Sequence, residues 1–258
     1  MTTFYDLIKE LAYHVGDVRQ GVSTGGSVTT LVDTALNEAD EYYKKGTLLI
    51  DQPTPVIVYV TDYDAPTATF TFPTIATAVT AGIGYTAIRS WFPIDVLKRS
   101  INLAILESEL IMKHDESISL VADQERYALP VGVTDVRRVE IGTENGDDWQ
   151  VHYNWRVESG ELRFTAWVPS DTTQAVRLHY TGRQAELSSL ADTLDEQVSR
   201  HRLMIAACKH ALVWRNSKAG RDEPNTTDLL NYYLTEDAKV KNERVSPLLP
   251  RDPIYARY

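Results

Sequence analysis

The sequence predicts an α+β fold: a core bundle of about four helices with two inserted antiparallel β modules and an extended C-terminal arm. Apolar residues recur at three- and four-residue spacing in separate stretches, which is typical of amphipathic helices. Segments rich in Thr, Val and aromatic residues lie between these stretches and indicate strands. Near the end, Pro247, Pro250 and Pro253 favour extended backbone.

These patterns divide the chain into four parts. The helical core is assigned to residues 1–21, 91–116 and 194–245, the first β module to 22–90, the second β region to 117–183, and the C-terminal arm to 246–258. No internal repeat or low-complexity segment interrupts them.

The first helix has a clear start signal. Thr3 and Asp6 form a capping pair, in which side-chain oxygens satisfy free backbone N–H groups. An apolar stripe follows at helical spacing: Phe4, Leu7, Ile8, Leu11, Val15 and Val18. Gly21 and the Ser/Gly run after it are expected to end this helix, and β structure is expected from Val28.

Three further helices and a second β region follow the first module. Pro93 lies in the first turn of the second helix, whose apolar face is predicted to run from Ile94 to Met112. The second β region is expected to begin near Ser117, with hairpin turns at Asn145-Gly146 and Ser159-Gly160. The last two helices are predicted over about 195–216 and 227–243.

Charge and composition exclude several classes of protein. With 26 basic and 36 acidic residues among 258, the net charge is −10, which disfavours tight nucleic-acid binding. The single cysteine, Cys208, excludes an internal disulfide framework. No apolar run is long enough for a membrane span, so no membrane partner is predicted. The start of the chain carries no signal-peptide pattern, and none is expected.

No motif predicts catalysis, a cofactor or a metal ion, and the chain is expected not to be an enzyme. Cys208 and His210 are two residues apart on a helix and therefore point to different faces, and His201 lies two turns away. Asp33, Asp62 and Asp64 could supply oxygen ligands to Ca²⁺, but they lack the loop signature and the closing Glu, so a turn is favoured. No phosphate-binding loop or nucleophile elbow occurs.

An aromatic group in the second β region permits an alternative function. Trp149, Tyr153 and Trp155 stand at odd positions and would share one strand face, with Trp167 nearby. Such a face could stack on a sugar ring, which would make the chain a carbohydrate- or receptor-binding module. Burial in a sheet core or a subunit interface is the favoured explanation, because large aromatic side chains dominate burial.

A stripe of small residues on the third helix predicts close helix packing. It consists of Leu203, Ala206, Ala207, His210, Ala211 and Trp214. His210 is expected to be a hydrogen-bonded interior or interface group rather than a metal ligand.

Beyond these patterns, the chain resembles the head–tail connector proteins of tailed phages: the adaptor or neck family, including the tail tubular proteins of short-tailed phages. The first set of motifs is in the first β module, at residues 24–36, 42–50, 60–64 and 67–72. The second set runs through residues 127–130, 136–139, 149–155 and 176–182 into a long Ala-rich helix.

The resemblance implies a structural virion protein, assembled in the host cytoplasm. It implies a homo-oligomeric ring, often twelvefold, that lies below the portal protein, extends the DNA channel and docks the next neck or tail protein. DNA would pass without specific binding, because a negatively charged channel repels phosphates. Glu107, Glu109, Glu236 and Asp237 are candidate channel residues, although ordinary solvated helix faces explain each of them better.

In such adaptors the C-terminal segment commonly docks on the portal or on a neighbouring subunit. Here that segment is the arm, residues 246–258, whose extended backbone can add to another chain's surface. The expected anchors are Leu248, Leu249, Pro250, Ile254, Tyr255 and Tyr258. A disordered or self-packed terminus is the alternative.

Overall fold

The computed structural model describes residues 1–16, 18–143, 148–165, 174–219 and 224–242. The chain divides into two compact units: the first contains Met1–Ser108 and Ala185–Glu243, and the second contains Glu109–Gln184. Within the described residues, fifteen strands form four antiparallel sheets, and four helices accompany them.

The predicted helical-bundle core with inserted β modules is therefore wrong, and the chain has a β-rich α+β fold. Many strands are only two to four residues long, too short to produce a visible alternation in the sequence. The sheets also form hydrophobic cores of their own, so they are principal parts of the fold and not insertions in a helical bundle.

The first unit contains four helices and two sheets. In chain order its elements are α1 (Phe4–Val15), β1 (Val18–Val22), β2 (Gly25–Gly26), β3 (Thr30–Val32), β4 (Thr47–Ile50), β5 (Val56–Tyr59), β6 (Asp62–Asp64), β7 (Thr69–Thr71), β8 (Gly84–Ile88), α2 (Ile94–Glu107) and, after the second unit, α3 (Arg200–Ala219) and α4 (Pro224–Asn242). The strand orders are β1-β8-β4-β5 and β2-β3-β7-β6. No helix in the described part of the chain is both long and apolar enough to cross a bilayer.

Helix α1 confirms the predicted start signal but ends earlier than expected. Thr3 and Asp6 form the predicted capping box. The helix stops at Val15 because Gly16 adopts a positive φ of 94°, a conformation that favours glycine. Val18, expected on the helical stripe, begins strand β1 instead.

Aromatic side chains fill the core between the two sheets of the first unit. Tyr43, Tyr63, Phe70 and Tyr85 are almost fully buried, and their rings meet edge-on or tilted. Tyr85 donates a buried hydrogen bond of 2.6 Å to Asp33 Oδ2. These residues explain how strands as short as β3 and β7 form a stable module.

The second unit contains two sheets whose facing side chains form one core. Its elements are β9 (Ile111–Ser119), β10 (Arg126–Ala128), β11 (Asp135–Thr143), β12 (Gln150–His152), β13 (Trp155–Glu158), β14 (Glu161–Phe164) and β15 (Gln174–Gly182). The strand orders are β12-β11-β15-β9 and β10-β14-β13. Strand β9 begins at Ile111, so Met112 is not helical, contrary to the predicted length of the second helix.

The hairpin turn predicted at Ser159-Gly160 is confirmed. These residues join β13 to β14 and have φ values of 54° and 80°, as a tight hairpin turn requires. The other predicted turn, Asn145-Gly146, lies outside the described residues.

Candidate functional site

All predicted docking anchors of the arm lie outside the described residues: Leu248, Leu249, Pro250, Ile254, Tyr255 and Tyr258. Their role in partner binding stays a prediction. The candidate site that the structure describes is on the helices of the first unit, where α4 packs on α3.

Helix α3 packs against α1, α2 and α4. Leu203, Ala206, Ala207 and Ala211 are buried, so the predicted small-residue stripe is confirmed as a packing face. Cys208 belongs to the same buried face and forms a hydrogen bond with Tyr233 of α4. Burial raises the pKa of the Cys208 thiol to about 12, which makes it an unreactive packing group.

Helix α4 buries only a narrow stripe. The large apolar side chains that it buries within the described residues are Leu230, Tyr233 and Val240. The stripe lies along one side of the helix, because these positions follow three- and seven-residue spacing. Helix α4 therefore needs further interactions to hold it in place.

An ion cluster supplies those interactions. Lys209 on α3 donates to Glu107 Oε2 of α2 at 2.8 Å and to Asp237 Oδ2 of α4 at 3.2 Å. Lys241 donates to the same Asp237 oxygen at 2.9 Å, and His210 Nε2 lies 2.9 Å from Glu107 Oε1. We call these five residues the helix ion cluster. The cluster joins three helices at one point.

Burial and charge act in opposite directions on the acids of this cluster. Burial by itself would raise the pKa values of Glu107 and Asp237. Hydrogen bonds and charge from Lys209 and Lys241 outweigh burial, and both pKa values lie below the ordinary range. Burial lowers the pKa of His210, and the nearby Glu107 opposes that shift only in part. His210 is half-buried beside Glu107, and its predicted role as a hydrogen-bonded interior or interface group stays a prediction.

Two apolar side chains remain exposed on α4. Tyr232 is 56% exposed and Leu234 is 45% exposed. At 3.6 residues per turn, these side chains project from opposite flanks of the buried stripe. We call this pair the α4 flanks. The apolar surface of α4 therefore extends on both sides beyond the buried stripe that packs on α3.

Three of the acidic residues proposed for a channel form ion pairs with neighbouring basic side chains. Glu107 and Asp237 belong to the helix ion cluster, and Glu236 pairs with Lys239 at 2.6 Å. Nothing in these contacts tests whether they face a channel.

The structure does not bring the candidate metal ligands together. Asp33 is buried and accepts from Tyr85, whereas Asp62 lies on the surface, 3.6 Å from Lys44. Asp64 accepts a hydrogen bond from Thr67, as expected for a turn. No group of three or more His, Cys, Asp or Glu residues that could hold a metal ion occurs in the described ranges.

The aromatic strand face predicted in the second unit is wrong. Trp155 is 1% exposed and belongs to the core, as the burial interpretation expected, whereas Tyr153 is 46% exposed. Trp149 lies outside the strands, and the guanidinium of Arg177 stacks on its ring, 4.0 Å from the centroid. Trp167 lies outside the described residues. The three described rings therefore do not form a common surface for a sugar.

Sequence reasoning missed the helix ion cluster. Lys209 is 102 residues from Glu107 and 28 from Asp237, and no local spacing connects them. Only the Asp237/Lys241 pair, at i and i+4, carries a local signal.

Comparison with known proteins identifies no relative: neither a protein-family model nor a curated protein matches the sequence.

Proposed function

We propose that this chain is a structural virion protein, a head-to-tail adaptor that forms a ring below the portal. The ring, often twelvefold in the adaptors that the sequence resembles, extends the DNA channel and docks the next neck or tail protein. The proposal rests on the sequence resemblance and on one structural observation, the exposed α4 flanks.

The α4 flanks support self-association. Helix α4 packs mainly on α3 and exposes a large apolar side chain on each side of that contact. A ring needs heterologous contacts, in which two different surfaces of the same chain meet. A helix with apolar side chains on both flanks can contact a neighbouring subunit while it stays packed on its own α3.

The charge of the chain supports passage of DNA. A net charge of −10 repels the phosphate backbone, whereas a basic lining would retain DNA with strong salt dependence. The arm, residues 246–258, stays the predicted segment for docking on the portal or on a neighbouring subunit.

The decisive experiment is mass measurement by light scattering over a range of protein concentrations, for the chain alone and mixed with the portal protein of the same virion. The monomer has a mass of 29.1 kDa. We expect a ring or a stoichiometric complex with the portal. The double variant Tyr232→Ser, Leu234→Ser should need at least a tenfold higher concentration to assemble.

The matched control is Tyr59→Ser, which removes an aromatic side chain that is 52% exposed on β5. It should assemble like the unmodified chain. The proposal would be overturned if the chain stayed monomeric at every concentration and did not bind the portal protein. If the double variant assembled like the unmodified chain, the α4 flanks would not be part of the interface between subunits.

A further inference from the structure

A cavity of about 440 Å³ opens in the second unit, at one end of the four-stranded sheet. Ligand pockets in proteins generally have volumes of roughly 300–1,000 Å³, so the cavity has the size of a small-molecule site. Its lining includes Ile141, Asp148, Gln150, Val151, His152 and Gln174. No residue of the α4 flanks or of the helix ion cluster contributes to this lining.

The strand register gathers the polar lining residues around β11. Gln150 on β12 is paired with Ile141 of β11, and Gln174 on β15 is paired with Thr143 of the same strand. The two primary amides therefore come from strands on opposite sides of β11. Strand β12 is the outermost strand of its sheet, and Gln150 on this strand is exposed.

The lining combines hydrogen-bonding groups with apolar surface. The amides of Gln150 and Gln174 both donate and accept, and the Asp148 carboxylate accepts. Ile141 is half-buried, shares a sheet face with its pairing partner Gln150, and offers aliphatic surface beside these groups. This combination fits a ligand that carries many hydroxyl groups on a frame of C–H bonds.

The charge of the lining residues further limits the chemical class of ligand that the cavity can bind. Among the lining residues that the structure describes, Asp148 is the only Asp, Glu, Lys or Arg. His152 is half-buried with its ring edge-on to Phe164, at 5.3 Å between centroids. Burial lowers the pKa of His152, so the imidazole is neutral at pH 7 and hydrogen-bonds without charge. An anionic ligand would meet no Lys or Arg among the described lining residues and would be repelled by Asp148.

We propose that this cavity binds a neutral saccharide, with Asp148, Gln150 and Gln174 hydrogen-bonding its hydroxyl groups and Ile141 contacting its C–H surface. The site differs from the predicted aromatic face, because it needs no stacking on Trp155. Its residues belong to the second unit, whereas the α4 flanks belong to the first.

Saturation-transfer NMR on the full chain tests the proposal, because it detects weak ligands of both monomers and large assemblies. The probes are glucose, galactose, N-acetylglucosamine and maltose, with glucuronate as the anionic comparison. We expect transfer to at least one neutral sugar and at least fivefold less to glucuronate. The double variant Asp148→Asn, Gln150→Ala should reduce transfer at least fivefold, and both residues are exposed, so the fold is retained.

The matched control is Asp123→Asn, which removes an exposed carboxylate of the same unit away from the cavity. Asp123 has a φ of 61°, which asparagine tolerates. Transfer in this variant should equal that of the unmodified chain. Absence of transfer to every neutral probe, equal transfer in the double variant, or preference for glucuronate would overturn the saccharide site, and none of these results bears on the mass measured by light scattering.

Discussion

Lys209 and Asp237 form the ion pair that joins α3 to α4, with 3.2 Å between Nζ and Oδ2 and only 12% and 13% of the two side chains exposed. Water screens such a pair weakly, and each partner depends on the other for compensation of its charge. Because α4 buries few large apolar side chains, this pair is a major determinant of where the helix lies.

The first prediction concerns this pair. Asp237→Asn should destabilise the chain by about 1–3 kcal/mol, because Lys209 stays largely buried with one carboxylate fewer. Urea unfolding followed by circular dichroism measures the loss. Glu236→Gln is the control: its partner Lys239 is 63% exposed, so little change is expected. Equal losses in the two variants would contradict the assigned role of Asp237.

The second prediction concerns pH. His210 has a lowered pKa in the folded chain, so the unfolded chain binds more protons just below the ordinary histidine pKa of about 6.5. Stability should therefore decrease as the pH falls from about 6.5 to the folded pKa of His210. Glu107 and Asp237, whose pKa values are also lowered, add a further loss as the pH falls from about 4 through their folded pKa values.

Thermal unfolding between pH 7.5 and 3.5 measures both steps. His210→Gln should flatten the upper step without abolishing it, because His152 also has a lowered pKa and acts with the same sign. His201→Gln, at an exposed position of the same helix, is the matched control and should leave the curve unchanged. A curve for His210→Gln that retains the full upper step would exclude His210 as its source.

The third prediction concerns Gly21. A Cβ atom at this position would lie 2.6 Å from both Asp33 Oδ2 and Tyr85 Oη, the two atoms of the buried hydrogen bond. Gly21→Ala should push these groups apart and destabilise the first unit by about 1–3 kcal/mol. Gly25→Ala is the control, because a Cβ there meets nothing within 4 Å. Chemical denaturation of the two variants should separate them clearly, and similar midpoints would count against the steric argument.

The fourth prediction concerns Trp155. Trp155→Ala should cost about 3–5 kcal/mol of stability, because the side chain is almost fully buried in the core of the second unit. Tyr153→Ala, at an exposed position, should cost far less. Thermal unfolding distinguishes them. An unchanged melting temperature in Trp155→Ala would mean that this ring is not part of the core.

The sequence predicts features that depend on neighbouring residues better than features that depend on distant ones. The Thr3/Asp6 capping box and the Ser159-Gly160 turn are local, and both are confirmed. The end of α1 is misplaced because Gly16 and Gly21 are equally plausible stop signals, and only the pairing of β1 with β8 decides between them.

The fold class and the site depend on contacts between distant residues. In the core, Phe70 contacts both Tyr63 and Tyr85 and so joins strands that are too short to recognise in the sequence. Lys209 meets Glu107 and Asp237 only because three helices converge. A periodic pattern shows which face of a helix is buried, but it does not show which partner covers it.

The burial of Cys208 has a practical consequence for studies of assembly. It is the sole cysteine, and burial raises the pKa of its thiol so far above neutral pH that very little thiolate forms at pH 7. A cysteine introduced on the surface would therefore react with maleimide reagents almost alone, without removal of the native one. Fluorophores attached in this way at Tyr59, an exposed position whose replacement should leave assembly unchanged, could report subunit spacing by energy transfer.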